Sequence, residues 1–303
     1  MRFEITILGS GAALPTSLRN PSGQYVWCND RHILIDCGEG TQNQLRKNGI
    51  SLQKITHILI SHLHGDHFFG LVGLLSSMHL LGRNQGITVY GPEGLEQIIR
   101  LQLEIGGASI GFGIDFVTLD GKTPQLLFED NRIEIMTFPL RHRVPTNGFR
   151  INEKPFARQL DGDKYKREKQ SLVHIPALKR GEDVTLEDGT VLRSSEYTFA
   201  PRKHRSYAYC SDTTYQEVIV PFIQGVDVLY HEATFLDNMA DRAIATFHST
   251  AKQAAQIAQQ AQVGQLLLGH LSARYEDGNA HAAEARLVFE NTMVVEDGMV
   301  IVL

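Results

Sequence analysis

The stretch Ser61–Leu71, SHLHGDHFFGL, crowds His62, His64, Asp66 and His67 against a run of apolar residues. The preceding KITHILI alternates like a strand, so His62 and His64, two residues apart, can turn both rings to one side of an extended backbone. Gly65 permits a sharp bend that aims Asp66 and His67 at a point a few ångströms away. The segment FFGLVGLLSSMHLLG is apolar almost all round, which reads as a buried helix that stiffens the loop and keeps it dry. Four ionisable groups in such a setting would be unfavourable by roughly several kcal/mol without a counter-charge. Histidines and carboxylates without thiolates suit Zn²⁺, or Mn²⁺ less well. The chain must therefore fold so that a strand end delivers a metal-binding loop.

Six residues cannot complete two coordination shells. Further ligands are expected just past other strands: His142 in PLRHRVPTNGF, Asp212 in YCSDT and His270 in LLLGHLS, with Asp212 the natural bridge between two ions. The remaining chain repeats the theme of strand, polar loop and helix, which points to a layered α/β core with loops converging on one site. Hairpins are expected at Asp130-Asn131 and at Asp297-Gly298. HSTAKQAAQIAQQAQV reads as a helix capped by Ser249, with apolar residues at 254, 257, 258 and 261.

The 303 residues, 42% of them hydrophobic, suffice for a large core. No run approaches a membrane span, and the opening MRFEITILGS lacks the pattern of a signal peptide. Cys28, Cys37 and Cys210 form no CxxC pair. An odd, sparse set argues against a disulfide framework and leads us to expect a reducing cytoplasm. The net charge of −5 disfavours a general nucleic-acid binder, yet it is unevenly spread. Between Arg150 and Arg180 nine Lys/Arg face four Asp/Glu, so that segment carries +5 and the rest −10. Residues from about 152 to 195 also lose the periodicity of the flanks and read as an inserted basic arm in a single 1–303 domain.

SHLHGDH is a hallmark of the metallo-β-lactamase fold, and the flanking motifs resemble ribonuclease Z, the tRNA 3′-processing endonuclease. The resemblance runs through ILGSGAALPTSLRN, LIDCGEGTQ, SHLHGDHFFGL, VYGPEGL, HRVPTNGF, SDT, HEATF, HST and LGHLSARY, in that order along nearly the whole chain. It implies an αββα sandwich of two packed mixed sheets with helices outside, two zinc ions per chain, a precursor tRNA substrate and a homodimer. It implies one zinc held by His62, His64 and His142, the other by Asp66, His67 and His270, and Asp212 bridging them. It also implies that Asp66 accepts the proton of the attacking water and that Asp36 orients a ligand histidine. The family's arm usually carries a Gly/Pro-rich patch. Here the arm has QSLVHIPAL in its middle and keeps its basic residues, so it is expected to grip RNA through phosphate contacts.

Two metals about 3.5–4 Å apart can share a hydroxide and clamp a phosphodiester for in-line attack. The leaving oxygen then needs a proton or a cation, and His248, at a predicted helix start, is expected to supply it. His231 and Glu232 in HEATF are expected to orient it or to contact phosphate, or else to serve as core hydrogen-bonders. Arg19, Asn20 and Ser22 are open to two readings, as contacts to RNA or as plain turn residues. Two other functions fit the motifs less completely: a phosphodiesterase of the same fold acting on another RNA or a small ester, and a catalytically silent RNA-binding protein with structural zinc.

Overall fold

The computed structural model describes residues 2–303. Residues up to Asn152 together with Arg205–Leu303 form one compact unit, and Glu153–His204 form a second.

The larger unit is built on two seven-stranded sheets. In chain order, the first sheet collects β1 (Phe3–Gly9), β2 (Gly23–Cys28), β3 (Arg31–Cys37), β4 (His57–Leu59), β5 (Ile87–Pro92) and β6 (Ile114–Leu119). The second begins with β7 (Gln125–Glu129), β8 (Ile133–Leu140) and β9 (Thr146–Glu153). The smaller unit contributes only the short strands β10 (Gln159–Leu160), β11 (Val184–Thr185), β12 (Val191–Leu192) and β13 (Thr198–Phe199). The second sheet resumes with β14 (Ser206–Cys210), β15 (Val228–Glu232), β16 (Gln265–Gly269) and β17 (Thr292–Val294), while β18 (Val300–Val302) returns to the first. The orders are β18-β1-β2-β3-β4-β5-β6 and β17-β16-β15-β14-β9-β8-β7. Both sheets mix parallel and antiparallel pairs.

Period-two alternation sorts the side chains into layers. Phe3, Ile5 and Ile7 of β1, Ile33 and Ile35 of β3, Phe149, Tyr207, Tyr209, Tyr230 and Leu267 fill the space between the sheets. Leu34 and Ile58 face outward onto the helix Leu71–Leu80 through Leu71, Leu74, Leu75 and Met78. On the far side Ala251, Ala254, Ala255 and Ala258 line the helix Ala251–Gln260 where it covers the second sheet. The expected αββα architecture is present.

Two local expectations need correction. Residues 292–302 do not form a hairpin: β17 pairs with β16 of one sheet and β18 with β1 of the other. The Asp297 carboxylate accepts from Ser10 N (2.9 Å) and Asn20 N (2.7 Å) and holds the crossing to the start of the chain. The cap of the helix Ala251–Gln260 is Thr250, in a reciprocal capping box with Gln253, while the Ser249 hydroxyl donates to the Thr213 carbonyl. The hairpin at Asp130 is present, with β7 antiparallel to β8.

The smaller unit has its own core of Tyr165, Leu178, Leu192 and Tyr197. Asp161 caps the helix Gly162–Arg167 by accepting from Lys164 N, and Arg202 pairs with Glu153 at 2.9 Å. Leu172 and Val173, from the QSLVHIPAL stretch, are exposed on its surface.

Candidate metal centre

Each side chain of the site hangs from the loop after a strand. β4 ends at Leu59, and His62 and His64 follow on extended backbone before the helical turn Gly65–Phe68 lifts Asp66 and His67. Glycine lets this turn lie on the loop after β3. A Cβ on Gly38 would come within 2.3 Å of the Asp66 carbonyl oxygen, and one on Gly70 within 2.2 Å of that of Gly38. β8 leads to His142, β14 to Asp212 and β16 to His270. Asp36 and His270 both take left-handed φ, 56° each, a conformation uncommon for non-glycine residues.

Seven side chains from both sheets converge in two groups. Asp212 Oδ1 lies 3.4 Å from His67 Nε2 and 3.1 Å from His270 Nε2, and Asp66 Oδ2 lies 3.4 and 3.5 Å from the same nitrogens. His64 Nδ1 lies 3.0 Å from His62 Nε2 and 3.2 Å from His142 Nε2, while Asp212 Oδ2 stands 3.6 and 3.8 Å from those two nitrogens. Donor atoms about 2.0–2.1 Å from a tetrahedral ion are about 3.4 Å from one another, so both sets have the right edge lengths. Asp212 offers one oxygen to each. His67 Nε2, His270 Nε2 and Asp212 Oδ1 are buried atoms with no hydrogen-bond partner, as expected of groups that await a cation. The residues present therefore fit a pair of metal ions. His64 faces the group through Nδ1, a choice of nitrogen that motif spacing does not determine.

The charges support the same assignment. Burial opposes ionisation of Asp66, but the adjacent His67 and His270 hold the carboxyl well below the usual carboxylate range. Asp212 is likewise held low: burial opposes, and His270 and His67 prevail. Burial, then the neighbouring His67, keep His62 neutral and able to ligate. Burial would also neutralise His67, yet Asp212, Asp66 and Asp36 hold a proton on it. A metal ion would replace that proton.

Beside the centre, the His248 ring hydrogen-bonds through Nδ1 to Glu232 Oε1 at 2.8 Å. Burial would lower its pKa, but the Glu232 carboxylate outweighs burial and pushes it up to about 9. His248 is thus a cation at neutral pH. His231 is fully buried, donates to the Glu232 carbonyl at 2.7 Å and does not line the cavity. Asp36 accepts from His67 Nδ1 at 2.8 Å. Arg19 and Ser22 are buried. Arg19 donates to Ser10 Oγ and the Val295 carbonyl, and Asn20 Nδ2 donates to Asp297, so Arg19 and Asn20 brace a loop.

A cavity of about 590 Å³ opens over the centre, lined by His64, Asp66, His142, Asp212, His248 and His270. Exposed Arg143, Arg242 and Arg274 also line it and suit phosphate oxygens. The sequence reading did not single out these arginines. Only their later place around one mouth distinguishes them from other surface cations.

The chain is 46% identical over 299 residues to ribonuclease Z of Cytophaga hutchinsonii, covering 98% of this chain and 95% of the relative. It is 42% identical over 302 residues to that of Parabacteroides distasonis, covering 98% of both. The chain belongs to the ribonuclease Z family. The family model described as anti-Pycsar protein Apyc1 matches residues 3–156 and places that half of the chain in the family it describes. Human tRNase Z, short form, superposes with a TM-score of 0.71 at 29% identity, over 98% of each chain. The metallo-β-lactamase fold protein YhfI of Bacillus subtilis gives 0.71 at 20% identity over the full length of both, which shows the fold.

Proposed function

We propose that this chain is a zinc-dependent endoribonuclease that removes the 3′ trailer from tRNA precursors and leaves a 3′-hydroxyl on the tRNA. The observation that carries the reading is a single cavity holding two ligand sets joined by Asp212, with the His248–Glu232 pair beside them. In this reading His62, His64, His142 and Asp212 hold one zinc, and Asp66, His67, His270 and Asp212 the other. When bound, the two ions supply Lewis acidity toward the scissile phosphate and the attacking water.

The chain's own residues do the rest. Asp66 Oδ2 faces Ala13 N, His67 and His270. Its Oδ1 stands outside that set and takes the hydrogen bond, and then the proton, of the attacking water. His248, held cationic by Glu232, delivers a proton from Nε2 to the departing 3′ oxygen. Arg143, Arg242 and Arg274 hold flanking phosphates. The unit Glu153–His204, rich in Lys and Arg, grips the tRNA body through its phosphates. We further infer a homodimer, on the family resemblance, and a cytoplasmic location, on three buried cysteines held as thiols.

The test is incubation of the purified protein with a precursor tRNA carrying a 3′ extension, with zinc and with chelator, followed by mapping of both new ends. Cleavage that needs zinc and yields a 3′-hydroxyl is expected. Zinc-loaded protein that leaves the precursor intact overturns the proposal.

A further inference from the structure

Behind the metal ligands, each sheet contributes one carboxylate and one hydroxyl in the same arrangement. In the first sheet the carboxylate is Asp36, at the end of β3, and the hydroxyl is Ser61, just past β4. Asp36 Oδ1 accepts from Ser61 N at 2.7 Å, and Oδ2 accepts from Ser61 Oγ at 2.9 Å and from His67 Nδ1 at 2.8 Å. His62 Nδ1 lies 3.0 Å from Ser61 Oγ. In the second sheet the carboxylate is Glu232, at the end of β15, and the hydroxyl is Thr234. Glu232 Oε2 accepts from Thr234 N at 3.0 Å and Oγ1 at 2.7 Å, and Oε1 accepts from Thr213 N at 3.0 Å and His248 Nδ1 at 2.8 Å. His270 Nδ1 lies 3.0 Å from Thr234 Oγ1.

The hydrogens in both networks have one consistent placement. An ionised carboxylate only accepts, so the Ser61 and Thr234 hydroxyl hydrogens must point to Asp36 and Glu232. Each hydroxyl oxygen is then left as an acceptor, and His62 and His270 must donate to it from Nδ1. In the neutral, ligating ring their Nε2 atoms are thereby bare, and these are the atoms that face Asp212. The opposite sheet locks the first network: Tyr209 donates to Asp36 Oδ2 at 2.7 Å, and Ser211 Oγ donates to Ser61 Oγ at 3.0 Å. Among the other ligands, His142 uses a backbone carbonyl, that of Phe247, at 2.8 Å for the same purpose.

We propose that Ser61 and Thr234 are a matched pair of positioning residues, each fixing the tautomer and the aim of one metal-ligating histidine, His62 in one ligand set and His270 in the other. The two hydroxyls sit in different sheets: Thr234 meets a ligand of one set only, whereas Ser61 Oγ also lies 3.4 Å from His67 Nδ1, so its network reaches a ligand of each set and favours His62 by the shorter contact. Thr234 also joins His270 to the carboxylate that holds His248, so it ties metal loading to the proton donor. This inference rests on the two-metal reading of the cavity. It does not depend on the identity of the RNA.

The test uses the full chain with Ser61→Ala, Thr234→Val and Thr234→Ser, each checked for folding by thermal melting. Two readouts are taken: competition with a chromophoric chelator for each zinc, and the ¹⁵N imidazole shifts of the metal-free protein. Loss of a partner behind a ligand typically weakens metal binding by about 10–100-fold. Ser61→Ala is expected to weaken one zinc by that factor and to let His62 lose its Nδ1–H tautomer. Thr234→Val is expected to do the same to the other zinc and to His270, and Thr234→Ser to restore both. Affinities within about threefold of wild type with unchanged tautomers overturn the proposal, as does equal loss of both ions in Thr234→Val. Wild-type protein that binds two zinc ions without cutting precursor tRNA would refute the proposed function and leave the relays standing. Wild-type protein that binds no pair would remove the basis of both.

Discussion

Replacement of His248 by alanine separates proton donation from metal binding. Its Nδ1 is committed to Glu232 at 2.8 Å and stands 3.9 Å from Asp212 Oδ2, and a pKa pushed up to about 9 keeps the ring protonated at neutral pH. A positioned acid of this kind contributes about 10²–10⁴ in rate, or about 3–5 kcal/mol in barrier. Single-turnover cleavage of a 3′-extended precursor should fall by that factor in His248→Ala while the protein still carries its metal. A second substrate, with sulfur in place of the bridging 3′ oxygen at the scissile bond, isolates the cause, because a thiolate departs without a proton. On it the variant should approach the wild-type rate. If the variant loses zinc, or stays equally slow on the sulfur substrate, His248 is not the acid and the Glu232 pairing has another purpose.

Three further outcomes are expected. Replacing residues 153–204 by a short linker should abolish precursor cleavage yet spare hydrolysis of a small activated phosphodiester. Unimpaired tRNA cleavage would favour the rival phosphodiesterase reading. Burial lowers His57 and His281 to about 4, so unfolded chain binds more protons than folded chain below the ordinary histidine value. Stability should fall as pH drops from about 6.5 toward 4, by up to about 3 kcal/mol for each group. Urea melts of His57→Phe should show a shallower decline, and a slope identical to wild type would refute this. Thr250→Ala removes the capping box and should lower stability by about 1 kcal/mol in the same melts, whereas Ser249→Ala should leave that box intact.

The clustering of the candidate ligands was legible in part because it is written locally. His62, His64, Asp66 and His67 lie within one loop, and His142, Asp212 and His270 each follow an apolar strand, a position that chain order alone reveals. The layered architecture followed from alternating strands and buried helices, helped by family motifs. What escaped was whatever depends on partners far away in sequence. Asp297-Gly298 does look like a hairpin turn, and nothing in its neighbourhood says that β17 and β18 belong to opposite sheets. Ser249 and Thr250 are equally good caps on paper, and the Thr213 carbonyl decides between them. Ser61, Thr234 and Tyr209 carry no pattern of their own, since their importance lies in hydrogen bonds to Asp36 and Glu232.

The crossing of residues 292–302 bears on synthesis. β1 precedes β2 and pairs with it, but its other edge waits for β18, far along the chain. Until β18 has been made, that edge offers unpaired amides and carbonyls to any neighbouring nascent chain. Closure of the first sheet therefore waits on β18, and chains stalled or terminated before that strand should be the ones that chaperones hold and proteases clear.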